Sequence, residues 1–246
     1  MTRYLTAADQ RSGEARSASS PMKIVVIGGS GLIGSKLVKV LAGKGHRPQA
    51  ASPSTGVDTC TGAGLDEALQ SATVVVDVSN APSFEDSAVR TFFETSTRNL
   101  LASASRAGVR HYVALSVVGA DQLPQSGYMR AKMEQERLIR ESSVSFTIVR
   151  ATQFFEFVKA IGDAATLNGV CRVSTARFQP MAADDVASEL AVGATAEPRM
   201  GTVEVAGPEA FRMVDLVQRV LEEHDDAPEI VADPEARYFG AELSER

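Results

Sequence analysis

The sequence of 246 residues is poor in the residue types that build metal sites and disulfide frameworks. It has two cysteines, Cys60 and Cys171, which are far apart and lack CxxC spacing. They predict two free thiols in a reducing compartment, and a disulfide has no support. The three histidines form no metal-ligand pattern, so we expect no metal.

The sequence also lacks a surplus of basic residues and long apolar runs. A formal net charge of −6 argues against a nucleic-acid partner. No apolar run approaches the ~20 residues of a membrane helix, so we expect no membrane partner. Residues 1–21 lack the apolar region of a secretory signal, and we predict a disordered extension and a cytoplasmic protein. The expected partner is a small-molecule substrate, bound by a monomer or homodimer.

Strands and helices alternate along residues 22–152, which predicts an α/β fold with a Rossmann-type, doubly wound parallel sheet. The predicted strands are Lys23–Ile27, Pro48–Ala51, Thr73–Val78, His111–Ser116 and Val144–Arg150, and the predicted helices are Gly31–Ala42, Leu65–Gln70, Ser87–Ala107 and Gly127–Glu141. The alternation stops after Thr152, and we predict that residues 153–246 form a small substrate lobe of the same single domain. The lobe's predicted helices are Gln153–Leu167, Asp184–Ala194 and Met213–Glu222, and its predicted strands are Val170–Val173 and Val203–Val205.

A glycine-rich turn, GGSGLIG at residues 28–34, separates the first strand from the first helix. Glycines at these spacings permit a tight turn, close approach of the backbone to a pyrophosphate, and packing of the helix on the strand. The phosphates then lie at the start of a helix, where free N–H groups and the dipole favour anions. The turn therefore predicts a bound nicotinamide dinucleotide. Its contact residues are Gly28, Ser30, Gly31, Leu32, Ile33 and Gly34.

The end of the second strand bears on the choice between NADP(H) and NAD(H). Sites that prefer NAD carry an acid about 20 residues after the turn, whereas this chain has AASPSTG there. Ser52 and Ser54 can donate hydrogen bonds to a 2′-phosphate, and Asp58 is the first acid in the segment. We therefore predict that NADP(H) is preferred and that NAD(H) is possible, with these three residues in the cofactor site.

Tyr128 and Lys132 lie four residues apart at the start of a predicted helix and so share one face. Ser116 ends the preceding strand, and we expect it to point into the same crevice. Tyrosine can protonate a carbonyl oxygen as hydride reaches carbon, while serine holds that oxygen. We expect the lysine ammonium, together with an oxidised nicotinamide, to lower the tyrosine pKa from about 10. The alternative is an exposed Tyr–Lys pair with no chemical role.

Taken together, these features resemble the short-chain dehydrogenase/reductase superfamily, and within it the atypical, NmrA-like branch of NAD(P)H-binding proteins. The resemblance extends from about Met22 to about Leu221. The resembling stretches are VVIGGSGLIG, VVVDVSN, TSTRNLLASASRAGVRHYVALSVVG, GYMRAKMEQERLI, FTIVRATQFFEF, ADDVA and VEVAGPE.

The resemblance implies roles for further residues. Lys132 also holds the nicotinamide ribose, and Asn99 supports a proton relay. Cofactor contacts are implied on the adenosine side for Val78, Ser79 and Asn80, and at the nicotinamide for Ala151, Thr152 and Phe154.

Three functions are compatible with these patterns. The first is an NADPH-dependent oxidoreductase that reduces a small carbonyl or quinone-like substrate with a tyrosine proton donor. The second is a non-catalytic, dinucleotide-sensing regulator, because many members of the atypical branch have lost the tyrosine. The third is an epimerase or isomerase that recycles its cofactor, although the C-terminal lobe has few polar residues for a sugar.

Overall fold

The computed structural model describes residues 20–223, 228–238 and 241–242, so nearly all of the predicted N-terminal extension lies outside the described residues. The strands are β1 (Lys23–Ile27), β2 (Arg47–Ala51), β3 (Val74–Asp77), β4 (His111–Val117), β5 (Phe146–Ala151), β6 (Thr166–Leu167), β7 (Val170–Val173), β8 (Arg177–Phe178), β9 (Gly201–Val205), β10 (Phe211–Arg212), β11 (Glu229–Ala232), β12 (Arg237–Tyr238) and β13 (Ala241–Glu242). The α-helices are α1 (Leu32–Gly43), α2 (Leu65–Leu69), α3 (Asp86–Arg106), α4 (Gly127–Glu141), α5 (Val158–Ala164), α6 (Ala183–Thr195) and α7 (Met213–Leu221). Short 3-10 helices cover Pro53–Thr55, Ala120–Gln122 and Phe155–Phe157.

Six parallel strands form the central sheet in the order β2-β1-β3-β4-β5-β9. The predicted Rossmann-type fold is thus confirmed. The strand order reverses between β1 and β3, and ligands of such sheets bind outside the carboxyl ends of the strands at this reversal. We call the space at the carboxyl ends of β1, β3, β4 and β5 the crevice.

The central strands are buried on both faces, which explains their continuous apolar runs. In β1, Val25 and Ile27 pack into the core under α2, α3 and α4, while Ile24 and Val26 face α1 and α6. A strand this apolar has no stable solvent-exposed register, so its place in the centre of the sheet follows from its composition.

The C-terminal part differs from the predicted division at residue 152. Helix α6 packs on α1 against the main sheet, and β9 extends that sheet beside β5. The small lobe therefore excludes these two elements. Its own core is formed by α5, α7 and β7, with Val158, Cys171 and Val217 fully buried.

The predicted helix over Gln153–Leu167 is also wrong in its first half. The Gln153 carbonyl accepts a hydrogen bond from the Met181 amide, and the Phe155 amide donates to the Met181 carbonyl, which holds the backbone extended up to Phe154. A short 3-10 helix follows, the α-helix begins only at Val158, and the chain then turns into the β6–β7 hairpin at Asn168 and Gly169, which both have positive φ. Tertiary pairing has overridden the local helical spacing here.

The cysteines and the lengths of the helices can be compared with the sequence analysis. Both cysteines are free thiols, with Cys171 buried and Cys60 partly exposed. Among the residues that the structure describes, no helix is both long and apolar enough to cross a bilayer.

Candidate dinucleotide and carbonyl-reduction site

The glycine turn joins β1 to α1 at the strand reversal of the sheet. The Gly28 amide donates to the Ala51 carbonyl over 2.9 Å, and the Gly31 amide donates to the Gly28 carbonyl over 3.0 Å. Gly28 has a φ of +77°, a conformation that L side chains rarely adopt. The turn is thus attached to β2 and closed on itself.

The glycines of the turn differ in what a side chain would meet. A Cβ at Gly34 would lie 2.2 Å from the Gly28 carbonyl oxygen, and one at Gly29 would lie 2.7 Å from the Ala50 Cα. Both positions are therefore required for packing within the protein. At Gly31, by contrast, the Gly28 oxygen at 3.3 Å is the one heavy atom of the described residues within 4 Å. Gly31 faces the open side of the turn.

The first turn of α1 fits a dinucleotide pyrophosphate. Its N-cap residue, Gly31, makes no side-chain capping bond, and the first turn contains no acid. The amides of Leu32, Ile33 and Gly34 precede the first helical N–H···O bond, which the Ser35 amide makes to Gly31. Free amides at a helix start, beside an open glycine, form an anion site. Ser30 lies exposed beside them.

The end of β2 carries neutral hydroxyls. Ser52 is buried, Ser54 is exposed, and their hydroxyl oxygens lie 2.9 Å apart. Asp58 organises the following loop, because its Oδ1 accepts hydrogen bonds from the amides of Cys60 and Thr61. The acid that binds ribose hydroxyls in NAD-preferring sites therefore has no counterpart at the end of β2 itself.

The segment after β3 forms one wall of the crevice. A Cβ at Gly28 would lie 3.0 Å from the Ser79 Cα, and the Val78 amide donates to the Ile27 carbonyl. Ser79 donates through its amide and its hydroxyl to Asp77, while the Asn80 side chain accepts from the next amide. The backbone of this segment, rather than its side chains, faces the glycine turn.

The end of β5 forms the opposite wall. The Ala151 carbonyl accepts from the Val118 amide, and the Thr152 amide donates to the Val205 carbonyl. The Thr152 hydroxyl is buried and has no hydrogen-bond partner among the described residues. An unpaired buried hydroxyl is costly, so Thr152 Oγ1 is a donor suited to a bound ligand. Phe154 follows, with its ring 5.7 Å from that of Phe157.

Tyr128 lies at the start of α4, which is the next α-helix after β4 and is separated from it by a short 3-10 helix. Ser126 caps this helix by accepting from the Met129 amide. The Tyr128 ring packs between Phe84 and Phe93, with centroid distances of 5.7 and 6.1 Å. This burial raises the pKa of Tyr128 to about 12. Desolvation therefore outweighs any lowering of this pKa by Lys132 alone, and the lowering expected from Lys132 together with an oxidised nicotinamide stays a prediction.

Lys132 is only 3% exposed, and its ammonium group points inward. Nζ donates to the Leu115 carbonyl over 2.8 Å and to Gln135 Oε1, and it lies 4.4 Å from the centroid of the Phe93 ring. Burial lowers the pKa of Lys132 to about 8, against the opposing effects of Asp77 and Glu136. The exposed Tyr–Lys pair that the spacing alone would allow is thus excluded.

Ser116 does not reach the crevice. Its hydroxyl donates to Glu136 Oε1 over 2.6 Å, beneath α4. Arg150 binds the same carboxylate through Nε at 2.8 Å and Nη2 at 2.9 Å, and Arg140 adds a third contact at 2.7 Å. The prediction for Ser116 needs correction, because the side chains of a strand alternate and this one faces the helix layer.

Asn99 is not brought to the Tyr–Lys pair either. Its amide nitrogen donates to the carbonyls of Thr59 and Cys60, which fixes the loop after β2. The α3 residue that meets Lys132 is Phe93, and six residues of helix place Asn99 about 9 Å further along the axis. The relay role implied by the resemblance has no geometric support here.

Sequence reasoning missed a buried polar network behind the crevice. Asp77, at the end of β3, binds Tyr112 and Gln135, and Glu136 binds Arg150. The available signal was a charged residue inside each of two apolar strands, VVVD and FTIVRA. Buried charges of this kind need partners, and the partners come from α4.

Two known proteins are similar to this chain in sequence. The (4-alkanoyl-5-oxo-2,5-dihydrofuran-3-yl)methyl phosphate reductase of Streptomyces griseus is 29% identical over 204 residues, which cover 76% of this chain and 69% of that protein. The photosystem II assembly factor Ycf39 of Synechocystis sp. is 22% identical over 149 residues, or 55% of this chain. The chain spans about half of that protein's length, at 46%.

Solved structures show the same fold. The Thermus thermophilus UDP-glucose 4-epimerase, in complex with NAD, superposes with a TM-score of 0.69 at 17% identity, over 85% of this chain and 86% of that chain. The model of the NAD(P)H-binding family matches residues 28–187, well over half of the chain, from the glycine turn into α6. The chain therefore belongs to the NAD(P)H-binding family.

Proposed function

We propose that this protein is an NADPH-dependent oxidoreductase that reduces a small carbonyl or quinone-like substrate. The observation that carries this proposal is the position of Tyr128. Its ring lies at the start of α4, beside the exposed ring of Phe84, and because α4 follows β4, whose carboxyl end borders the crevice, we infer that the phenol serves the crevice. A proton donor at the dinucleotide crevice is the minimum requirement for carbonyl reduction.

The chain's own residues hold the cofactor at both ends. The first amides of α1 and the open face of Gly31 receive the pyrophosphate. Ser52 and Ser54 present hydroxyls, with no acid on that strand end, to a 2′-phosphate. Thr152 supplies its unpaired hydroxyl at the nicotinamide side. Bound NADPH supplies a hydride in such sites.

Tyr128 gives a direction to the reaction. With a pKa near 12, the phenol is fully protonated at neutral pH, so the acid form that reduction needs is present, whereas the phenolate that oxidation needs as a base is scarce. The proton moves from Tyr128 Oη to the substrate oxygen that gains negative charge. Since Ser116 is bound to Glu136, we assign the orienting hydrogen bond on that oxygen to Thr152. This arrangement favours reduction over oxidation.

The Streptomyces relative is by name a reductase, which supports the class of reaction. A second candidate is a dinucleotide-sensing regulator. It is favoured by the inward position of both Ser116 and Lys132, whose polar groups bind within the protein, and by a relative named as an assembly factor. The two candidates differ in whether any substrate is turned over.

A panel of carbonyl compounds and quinones, followed by NADPH absorbance, tests the proposal. On the best substrate, we expect Tyr128→Phe to lower kcat/KM at least about 100-fold, or about 2.7 kcal/mol, with an unchanged Kd for NADPH. Ser116→Ala is the matched control, and we expect it to lose less than about tenfold because its hydroxyl faces Glu136. A Tyr128→Phe protein that keeps full activity would contradict the role of Tyr128 as proton donor, and a wild type inactive on the whole panel would contradict the oxidoreductase and favour the regulator.

A further inference from the structure

Asp77 is a buried carboxylate whose contacts are all neutral. It ends β3 and is 1% exposed. Its Oδ1 accepts from the Ser79 amide at 3.0 Å and the Ser79 hydroxyl at 2.6 Å. Its Oδ2 accepts from the Tyr112 hydroxyl at 2.9 Å and from Gln135 Nε2 at 3.1 Å. These bonds stabilise a carboxylate but leave its negative charge unmatched by a contacting cation.

Lys132 presents the opposite situation. Its ammonium contacts the Leu115 carbonyl, the Gln135 side-chain oxygen and the face of the Phe93 ring. No carboxylate forms an ion pair with it among the residues that the structure describes. A buried ammonium is costly to maintain without a nearby anion.

Gln135 connects the two charges. Its Oε1 accepts from the Lys132 ammonium, and its Nε2 donates to Asp77 Oδ2. The amide dipole is thereby fixed, with its negative end on the cation and its positive end on the anion. A glutamine between two buried charges of opposite sign transmits their attraction while keeping them apart.

The other charged and titratable groups around Lys132 are already engaged or neutral. Glu136, the second carboxylate near it, contacts Arg150 and Arg140. Tyr112 binds Asp77, and Tyr128 carries its proton at neutral pH. From α3, the ring of Phe93 faces the ammonium. Asp77 is thus the carboxylate whose charge remains available to Lys132.

We propose that Asp77 is the counter-ion of Lys132, acting through Gln135 to keep the ammonium protonated and in place behind the crevice. Asp77 is a positioning residue, since it touches neither the substrate nor the reacting atoms. The pKa of Lys132, about 8, is consistent with this arrangement, because burial lowers it while Asp77 opposes the fall. The kinetic consequence rests on the proposed function, whereas the protonation of Lys132 does not.

The test follows the titration of Lys132 in the whole protein by NMR of isotope-labelled lysine, with the signal assigned from Lys132→Met. Asp77→Asn keeps the shape and removes the charge. We expect the midpoint of the Lys132 titration to fall by at least about one pH unit. Gln135→Leu, which breaks the bridge and keeps the carboxylate, should shift the midpoint in the same direction. Asp66→Asn is the matched control, since this exposed carboxylate binds Arg106 and Ser103 away from the crevice.

Two readouts separate the counter-ion from the proposed reaction. If Lys132 titrates at the wild-type pH in a folded Asp77→Asn protein, the counter-ion role is overturned. Should Asp77→Asn not fold, the same result in Gln135→Leu overturns it. With an active substrate, the alkaline limb of the kcat/KM profile should move to lower pH in parallel. A shifted titration together with no turnover on any substrate would retain the counter-ion and reject the oxidoreductase.

Discussion

Gly31→Val separates cofactor binding from folding. Gly31 has φ −78° and ψ −178°, an extended conformation that valine adopts without strain. Apart from its chain neighbours, a Cβ there meets the Gly28 oxygen at 3.3 Å, a close contact that the turn relieves by a shift of a few tenths of an ångström. We therefore expect the free energy of unfolding to fall by about 1–2 kcal/mol, which leaves the protein folded.

The effect on binding should be much larger. The valine side chain occupies the open side of the turn and keeps the pyrophosphate from the first amides of α1. Hydrogen bonds to a charged group contribute about 1.5–3 kcal/mol each. Loss of two of them costs at least about 3 kcal/mol, which is more than 100-fold in Kd. Isothermal titration calorimetry with NADPH measures the loss, and urea unfolding confirms that the variant is folded.

Two other glycines serve as controls. At Gly34, a Cβ would lie 2.2 Å from the Gly28 oxygen and 2.6 Å from the Gly29 Cα, so Gly34→Ala should lose about 1–3 kcal/mol of stability. Gly43, at the far end of α1, has no described heavy atom within 4 Å of its would-be Cβ. Gly43→Ala should change neither property appreciably. A folded Gly31→Val protein with wild-type affinity for NADPH would refute the location of the pyrophosphate.

Three further predictions concern the cofactor preference and the buried polar groups. Ser54→Asp adds a carboxylate beside Ser52, at an exposed position where it would repel a 2′-phosphate. It should reduce the preference for NADP(H) over NAD(H) at least about tenfold, or about 1.4 kcal/mol. Equal effects on the two Kd values would contradict this. Arg150→Met leaves Glu136 buried without its principal partner, and the free energy of unfolding in urea should fall by about 3–5 kcal/mol. The double variant Arg150→Met/Glu136→Leu should recover part of this loss. A loss below about 1 kcal/mol in Arg150→Met would be inconsistent with the buried pair. Burial lowers the pKa of His111 from 6.5 to about 4, so between these values the unfolded chain binds a proton that the folded chain does not. Stability should therefore fall by on the order of 3 kcal/mol as pH falls from 6.5 to 4, and His111→Gln should remove this part of the dependence in urea unfolding measured at each pH.

The sequence predicted the main sheet well because its strands are buried on both faces. Such strands consist of apolar runs that can be recognised without any long-range information, as KIVVI shows. The helix over Gly127–Glu141 has the predicted bounds, and the structure adds Ser126 as its N-cap. Residues 153–157 were mispredicted because their backbone pairs with Met181, a contact that local spacing cannot show.

The candidate site residues also fall into a group that the sequence predicts and a group that it does not. The glycine turn depends on backbone conformation and on local packing, both of which a contiguous motif specifies. By contrast, the directions of Ser116, Asn99 and Lys132 depend on which element packs on each face of the sheet. A strand places alternate side chains on opposite faces, so at the end of a strand one residue points toward the crevice and its neighbour points into the helix layer.

The sequence by itself determined that this chain folds as a parallel α/β sheet, begins with a glycine turn shaped for an anion, and carries Tyr128 and Lys132 on one helical face. Those properties follow from periods of a few residues and from the conformational freedom of glycine. Only the tertiary structure decided the protonation and direction of the polar groups. Their state depends on burial and on partners from distant elements, such as Asp77 of β3 and Gln135 of α4. Desolvation and charge pairing act through space, so they are fixed only when the strands and helices are packed together.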